Sequence, residues 1–181
     1  MIPVFESRRL SYYILPCGYA RQVLRFYTEN KDYIDKWEPV RPSNFYTEGY
    51  HKANLKAEYE LMKKKQYLRL WITRKENPNR LIGSVCFSNF LYGAFKNCMI
   101  GYKIHQAEAN NGFGTEAVQA SLCYFHDNFP QIHLVLAYIQ PDNLPSICLA
   151  RKAGMVNDAF LPAFACPHDT WQDYLLYTYR F

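Results

Sequence analysis

Apolar positions along this chain change their spacing several times, and each change marks an element. Leu10–Leu15 is almost continuously apolar and aromatic; it predicts a strand that stops at Pro16. Over Gly18–Asn30, Ala20, Val23, Leu24 and Tyr27 recur at helical intervals, and Asp32–Trp37 predicts a further helical turn. Pro39 and Pro42 fix their own φ and push the residues before them out of the helical region, so Trp37–Pro42 is expected to be extended. A long helix follows from Thr47 to Lys65, with Thr47 as its N-cap and Tyr50, Ala53, Ala57 and Leu61 as its buried stripe.

From Tyr67 the period shortens. Tyr67–Thr73 alternates loosely, Leu81–Phe87 answers it, and Asn77-Pro78-Asn79 predicts the hairpin turn between them. Cys98–Ile104 is the next strand, after a looser connection around Gly93. Helical spacing resumes over Thr115–Phe125, at Ala117, Val118, Leu122 and Phe125, and ends near Asn128. His133–Ile139 predicts a strand, Pro145–Ala153 a helix closed by Gly154, and Met155–Leu161 and Trp171–Phe181 a last antiparallel pair. The order β-α-α-β-β-β-α-β-α-β-β predicts a single α+β domain over residues 1–181, with a mainly antiparallel central sheet flanked by helices. The helix between Cys98–Ile104 and Val135–Ile139 allows those strands to be parallel neighbours. A splay between them would open a cleft.

Composition narrows the class. With 181 residues and 49% hydrophobic content the chain can bury a substantial core. The formal net charge of +5 favours acidic ligands without diagnosing one. Lys63-Lys64-Lys65 is expected to be a solvated helix end, so no direct nucleic-acid binding is expected. The six cysteines form no C-x-x-C and no zinc spacing, so no metal is expected. Cys86, Cys98, Cys123 and Cys148 lie in apolar segments and are expected to be buried, reduced thiols, which suits a cytoplasmic protein. No signal peptide opens the chain and no apolar run reaches membrane-spanning length, so no membrane partner is expected. Nothing here sets an oligomeric state.

The candidate chemistry lies in Gly101–Ala117. A strand, a polar loop with Gly112 and Gly114, and a helix start succeed one another there. The first-turn N–H groups of a helix lack intrahelical partners and the dipole favours negative charge, so this is a candidate phosphate site. It is no dinucleotide fingerprint, because the third glycine would fall at Ala117, and no P-loop, because no Gly-Lys-Ser/Thr follows.

A second cluster decides how to read the first. Pro141-Asp142-Asn143-Leu144-Pro145-Ser146 precedes Leu149-Ala150-Arg151-Lys152-Ala153-Gly154-Met155. Together with Gly112 and Gly114 this resembles the GNAT superfamily of N-acetyltransferases, with its [Arg/Gln]-x-x-Gly-x-[Gly/Ala], Pro-x-Asn-x-x-Ser and Lys-x-Gly-Phe signatures. Trp37-Glu38-Pro39-Val40-Arg41, Thr28-Glu29-Asn30, Phe87-Ser88-Asn89 and Thr170-Trp171 with Asp173 resemble the RimJ-like subgroup, which acetylates the N-terminal alanine of a small-subunit ribosomal protein. The likeness runs from about Leu10 to Tyr179.

The resemblance implies a GNAT-type sheet splayed between its two central strands, and acetyl-CoA as cofactor. It implies that the loop Asn110, Asn111, Gly112, Phe113, Gly114 and Thr115 holds the pyrophosphate, and that Tyr102, Lys103 and Ile104 pair with the pantetheine arm. Asn143 would contact the arm or the amine, the alternative being a turn residue. Ser146 would donate to the leaving thiolate, the alternative being an N-cap. The alternative for Tyr102 is core packing. Glu38, His168, Asp169 and Asp173 are the candidates for a general base, with Glu38 on the acceptor side; Glu116 is read as a first-turn acid. One departure stands out: Ala109 occupies the loop's Arg/Gln position with Glu108 beside it, and Asn110 and Asn111 are left to compensate.

The expected acceptor is a primary amine: a protein N-terminus, or a small amine such as a polyamine or aminoglycoside. An α-amine of pKa ~7.8 is about one-seventh neutral at neutral pH, against about one in 2,500 for a lysine near ~10.4, so a chain with no strong base is expected to prefer N-termini. A coenzyme A-binding module without catalysis is the alternative that Ala109 motivates.

Overall fold

The computed structural model describes Ile2–Phe181. Its centre is an eight-stranded sheet of order β1-β2-β3-β4-β5-β6-β8-β7. The strands are β1 (Phe5–Glu6), β2 (Leu10–Tyr13), β3 (Leu68–Arg74), β4 (Asn77–Leu91), β5 (Asn97–Ile104), β6 (Leu134–Ile139), β7 (Val156–Ala165) and β8 (Gln172–Arg180). The helices are α1 (Ala20–Glu29), α2 (Lys31–Asp35), α3 (Glu48–Lys63), α4 (Phe113–Asn128) and α5 (Leu144–Lys152). All neighbouring strands are antiparallel except β5 and β6. The expected class, the parallel central pair and the antiparallel last pair are all present.

Alternation along the strands gives the sheet two covered faces. Leu70 and Ile72 of β3 pack with Ala117, Val118, Leu122 and Phe125 of α4. Trp71, between them in sequence, packs with Val23, Phe26 and Tyr27 of α1 and Leu55 of α3.

Three expectations are corrected. Thr47 caps α3 as predicted, its Oγ1 accepting from Tyr50 N at 3.2 Å. The helix is nevertheless rotated about its axis: His51 and Leu55 are buried, whereas Ala53, Ala57 and Leu61 are exposed. The buried face is partly polar. Glu58 accepts from Arg69 Nε of β3 at 2.9 Å and from Tyr67 Oη at 3.0 Å, and His51 stacks on Tyr27 with ring centroids 5.3 Å apart. Apolar spacing cannot see a face held by an ion pair.

The β3–β4 turn falls on Lys75 and Glu76, just before the predicted Asn77-Pro78-Asn79. Pairing then jumps from Arg74↔Asn77 to Thr73↔Leu81. Pro78 therefore lies in a bulge, where its missing N–H breaks no ladder bond. Among the thiols, Cys98 is buried and Cys86 half-buried, but Cys123 and Cys148 are exposed on the outer faces of α4 and α5. An apolar neighbourhood in sequence covers both faces of a helix, and these two occupy the wet one.

Candidate active site

β5 and β6 pair only over Asn97–Met99 and Leu134–Leu136, then separate. β5 stays with β4: Gly83 pairs with Ile104, and His105 N donates to Ile82 O at 2.7 Å. A β-carbon on Gly83 would lie 2.4 Å from Lys103 O, so the glycine permits this close approach of the two strands. The divergence leaves a cleft of about 210 Å³. One wall is Ile100–Ile104, the other Ala137–Ile139; Asn143 and Ser146 stand at its end and Trp37 and Glu38 at its side.

The glycine loop rises from β5 through a 3₁₀ turn, Gln106–Glu108. Asn110 has φ +63° and Gly112 has φ +75°, both left-handed, where glycine and asparagine are tolerated. Gly112 is the N-cap of α4, and no side chain caps that end. The N–H groups of its first turn are thus left for a ligand. Gly114 has a packing role: a β-carbon there would meet Leu149 Cδ1 at 2.5 Å, so its absence lets α4 sit against α5.

The two acids beside the loop are both tied down. Glu116 accepts from Ser7 Oγ, Arg9 N and Arg9 Nε, each at 2.7 Å. Burial pushes its pKa up, but the bonds from Arg9 and Ser7 more than offset that and hold it below the usual carboxylate value. Glu116 is therefore the anchor of the β1–β2 hairpin as well as an acid in the first turn. Glu108 pairs with Arg74 Nη1 at 3.6 Å.

Asn143 and Ser146 come together with Tyr102. Asn143 Oδ1 accepts from Ser146 N at 3.3 Å, so Asn143, and not Ser146, caps α5. Ser146 Oγ donates to Tyr102 Oη at 3.0 Å, and Tyr102 Oη donates to Ser146 O at 3.1 Å. Burial pushes the Tyr102 phenol up to about 12, opposed by the Ser146 bond, which keeps it protonated at neutral pH.

Glu38 has both oxygens in ion pairs, with Lys103 Nζ at 2.6 Å and Arg41 Nη2 at 3.4 Å. Burial lowers the pKa of the Lys103 ammonium, but Glu38, with Tyr27 and Cys86 adding, together raise it above its usual value, so Lys103 stays charged. The other candidate bases lie outside the cleft lining. His168 and Asp169 are exposed on the β7–β8 loop, and Asp173 Oδ1 accepts from Ala163 N at 2.8 Å. That loop still reaches the acceptor side, because Val40 N donates to Pro167 O at 3.1 Å. Tyr33 and Tyr138 line the cleft without having been singled out by sequence. Their only signal is nearness to Trp37-Glu38 and to the end of a strand.

Residues 20–156 match the Acetyltransferase (GNAT) domain family. The chain belongs to the GNAT family. It is an N-acetyltransferase, with the mainly antiparallel, helix-flanked sheet of its GNAT structure neighbours. The [Ribosomal protein uS5]-alanine N-acetyltransferase of Escherichia coli K12 is 28% identical over 159 residues, covering 87% of this chain and 80% of that one. The crystal structure of ribosomal-protein-S5-alanine acetyltransferase from Vibrio fischeri superposes with TM-score 0.90 at 22% identity, covering 97% of this GNAT chain and 95% of that one. Mycobacterium smegmatis RimJ, in complex with CoA-disulfide, superposes with TM-score 0.84 at 18% identity, covering 94% and 81%. The last two likenesses are of fold.

Proposed function

We propose that this GNAT enzyme transfers the acetyl group of acetyl-CoA to the N-terminal α-amine of a protein, with a ribosomal protein as the favoured acceptor and the cytoplasm as its place of work. The observation that carries the reading is the divergence of β5 from β6 beside an uncapped helix N-terminus. A diverging strand edge offers backbone groups to a peptide-like pantetheine arm, as in strand addition. The helix start, Asn110–Thr115, offers N–H groups to the pyrophosphate. Acetyl-CoA supplies an activated thioester at the point where Tyr102, Asn143 and Ser146 converge.

The amine attacks directly, with no acyl-enzyme. Backbone N–H groups of Tyr102–Ile104 steady the developing oxyanion. As the C–S bond breaks, the Ser146 and Tyr102 hydroxyls, each with one hydrogen, turn out of their resting bonds to donate toward the sulfur, where a thiol of pKa ~8.5 needs only modest help. Glu38, held by Lys103 and Arg41, attracts the ammonium and leaves proton removal to water. That is enough for an α-amine and too little for a lysine. The test offers acetyl-CoA with alanine- and serine-terminated peptides, N-blocked lysine peptides, spermidine and an aminoglycoside, and maps products by mass spectrometry. Modification of the free N-termini first supports the reading; faster modification of lysine or of the small amines refutes it.

A further inference from the structure

Ala109 gives the loop no arginine, yet one guanidinium lies against Asn111, Gly112 and Phe113. Arg9, on the turn between β1 and β2, donates from Nη1 to Asn111 O at 3.0 Å and from Nε to Glu116 Oε2 at 2.7 Å. Its guanidinium carbon lies 4.4 Å from the centroid of the buried Phe113 ring. Nη2 lies 3.4 Å from where a β-carbon on Gly112 would sit, and has no protein partner among the described residues. Arg74 also packs on Phe113, 5.4 Å from its centroid, while pairing with Glu108.

We propose that Arg9 is the positioning residue that sets the coenzyme A loop, supplied from the N-terminal hairpin in place of the side chain missing at Ala109. The inference rests on the function proposed above. Its physical basis is the planar trans peptide between Asn111 and Gly112, in which C=O and N–H point in opposite directions. Holding the Asn111 carbonyl toward Arg9 turns the Gly112 N–H to the opposite side, away from Arg9. Glu116 fixes the guanidinium from the first turn of the same helix, so the loop and the helix start keep one relative geometry. A lysine would carry the charge but could not span Glu116 and Asn111 together.

Coenzyme A affinity is measured by titration calorimetry for the wild type, Arg9→Ala and Arg9→Lys. Turnover is followed with acetyl-CoA and with S-acetylpantetheine, which lacks the pyrophosphate. Arg9→Ala is expected to weaken coenzyme A binding about tenfold, leaving kcat at saturating acetyl-CoA within about twofold. The kcat/KM for S-acetylpantetheine should stay within the same margin. Arg9→Lys should bind nearly as weakly as Arg9→Ala. An unchanged dissociation constant in Arg9→Ala would overturn the proposal, and so would full affinity in Arg9→Lys. An equal loss with both acetyl donors would mark a merely structural residue and overturn it too. A wild-type chain that bound no coenzyme A would instead defeat the function proposed above.

Discussion

On the proposed cofactor side of the cleft, the candidate residues follow one another along the chain, from Tyr102 of β5 through the loop to Thr115 of α4, and in the proposed reading the backbone carries the recognition. On the acceptor side they come from far apart. Trp37 and Glu38 follow α2, Lys103 reaches over from β5, and Val40 is tied to Pro167 of the β7–β8 loop. In the proposed reading side chains do the recognising there, and Glu38 depends on Lys103 of another element. A backbone site is specified by glycines and a helix start, which one short motif can carry. A side-chain site is specified by packing, which no short motif contains.

The sharpest break between the two sides is expected at the Ser146–Tyr102 pair, whose hydroxyls belong to the chemistry although the Tyr102 backbone lies on the cofactor side. Ser146→Ala and Tyr102→Phe should each lower kcat roughly a hundredfold while moving the KM for acetyl-CoA less than about threefold. Because the two hydroxyls are bonded to each other, the double variant should be little worse than either single one. Steady-state kinetics checks this; additive losses would separate the pair.

Glu38→Gln should act on the acceptor half alone. The expected loss is about tenfold in kcat/KM for an amine acceptor, with acetyl-CoA binding unchanged by calorimetry. A loss of acetyl-CoA affinity instead would show that the Lys103–Glu38 pair braces β5 rather than the acceptor.

Smaller effects concern stability. Asn143→Ala removes the cap of α5 on the cofactor side and should cost about 1 kcal/mol, or a fall in Tm of roughly 2–4 °C. At neutral pH the smallest effect is that of His51, under the acceptor side. Burial, and then the charge of Arg41, lower its pKa from 6.5 to about 4, with Glu58 opposing and Arg69 adding. The unfolded chain takes up this proton near pH 6.5 and the folded chain only near 4. Stability is therefore lost as pH falls through that window. His51→Phe should flatten Tm against pH there; an unchanged slope would locate the proton uptake elsewhere.

The same contrast explains what was legible in the sequence. The elements were legible because their apolar periods are clean, as in α4, and the glycine loop because Gly112 needs a left-handed φ that sequence can announce. The face of α3 was not legible, since half-buried Glu58 and buried His51 are held by Arg69 and Tyr27, residues remote in sequence. The neutralisation of Glu108 by Arg74 was hidden for the same reason. The family resemblance reads Ser146 as a donor, with an N-cap as the alternative; that Asn143 is the cap of α5 was not legible. The partner of the Ser146 hydroxyl, Tyr102, is remote in sequence.

Amide hydrogen exchange with and without acetyl-CoA tests most directly where the cofactor lies. Tyr102–Ile104 and Asn111–Thr115 should gain protection when acetyl-CoA is added, together with Asn143–Ser146. The second cavity, of about 270 Å³ beneath α3 and lined by Tyr27, His51 and Trp71, should not change. Protection confined to α3 and β3, with none at the α4 start or along β5, would contradict the assignment of the cleft.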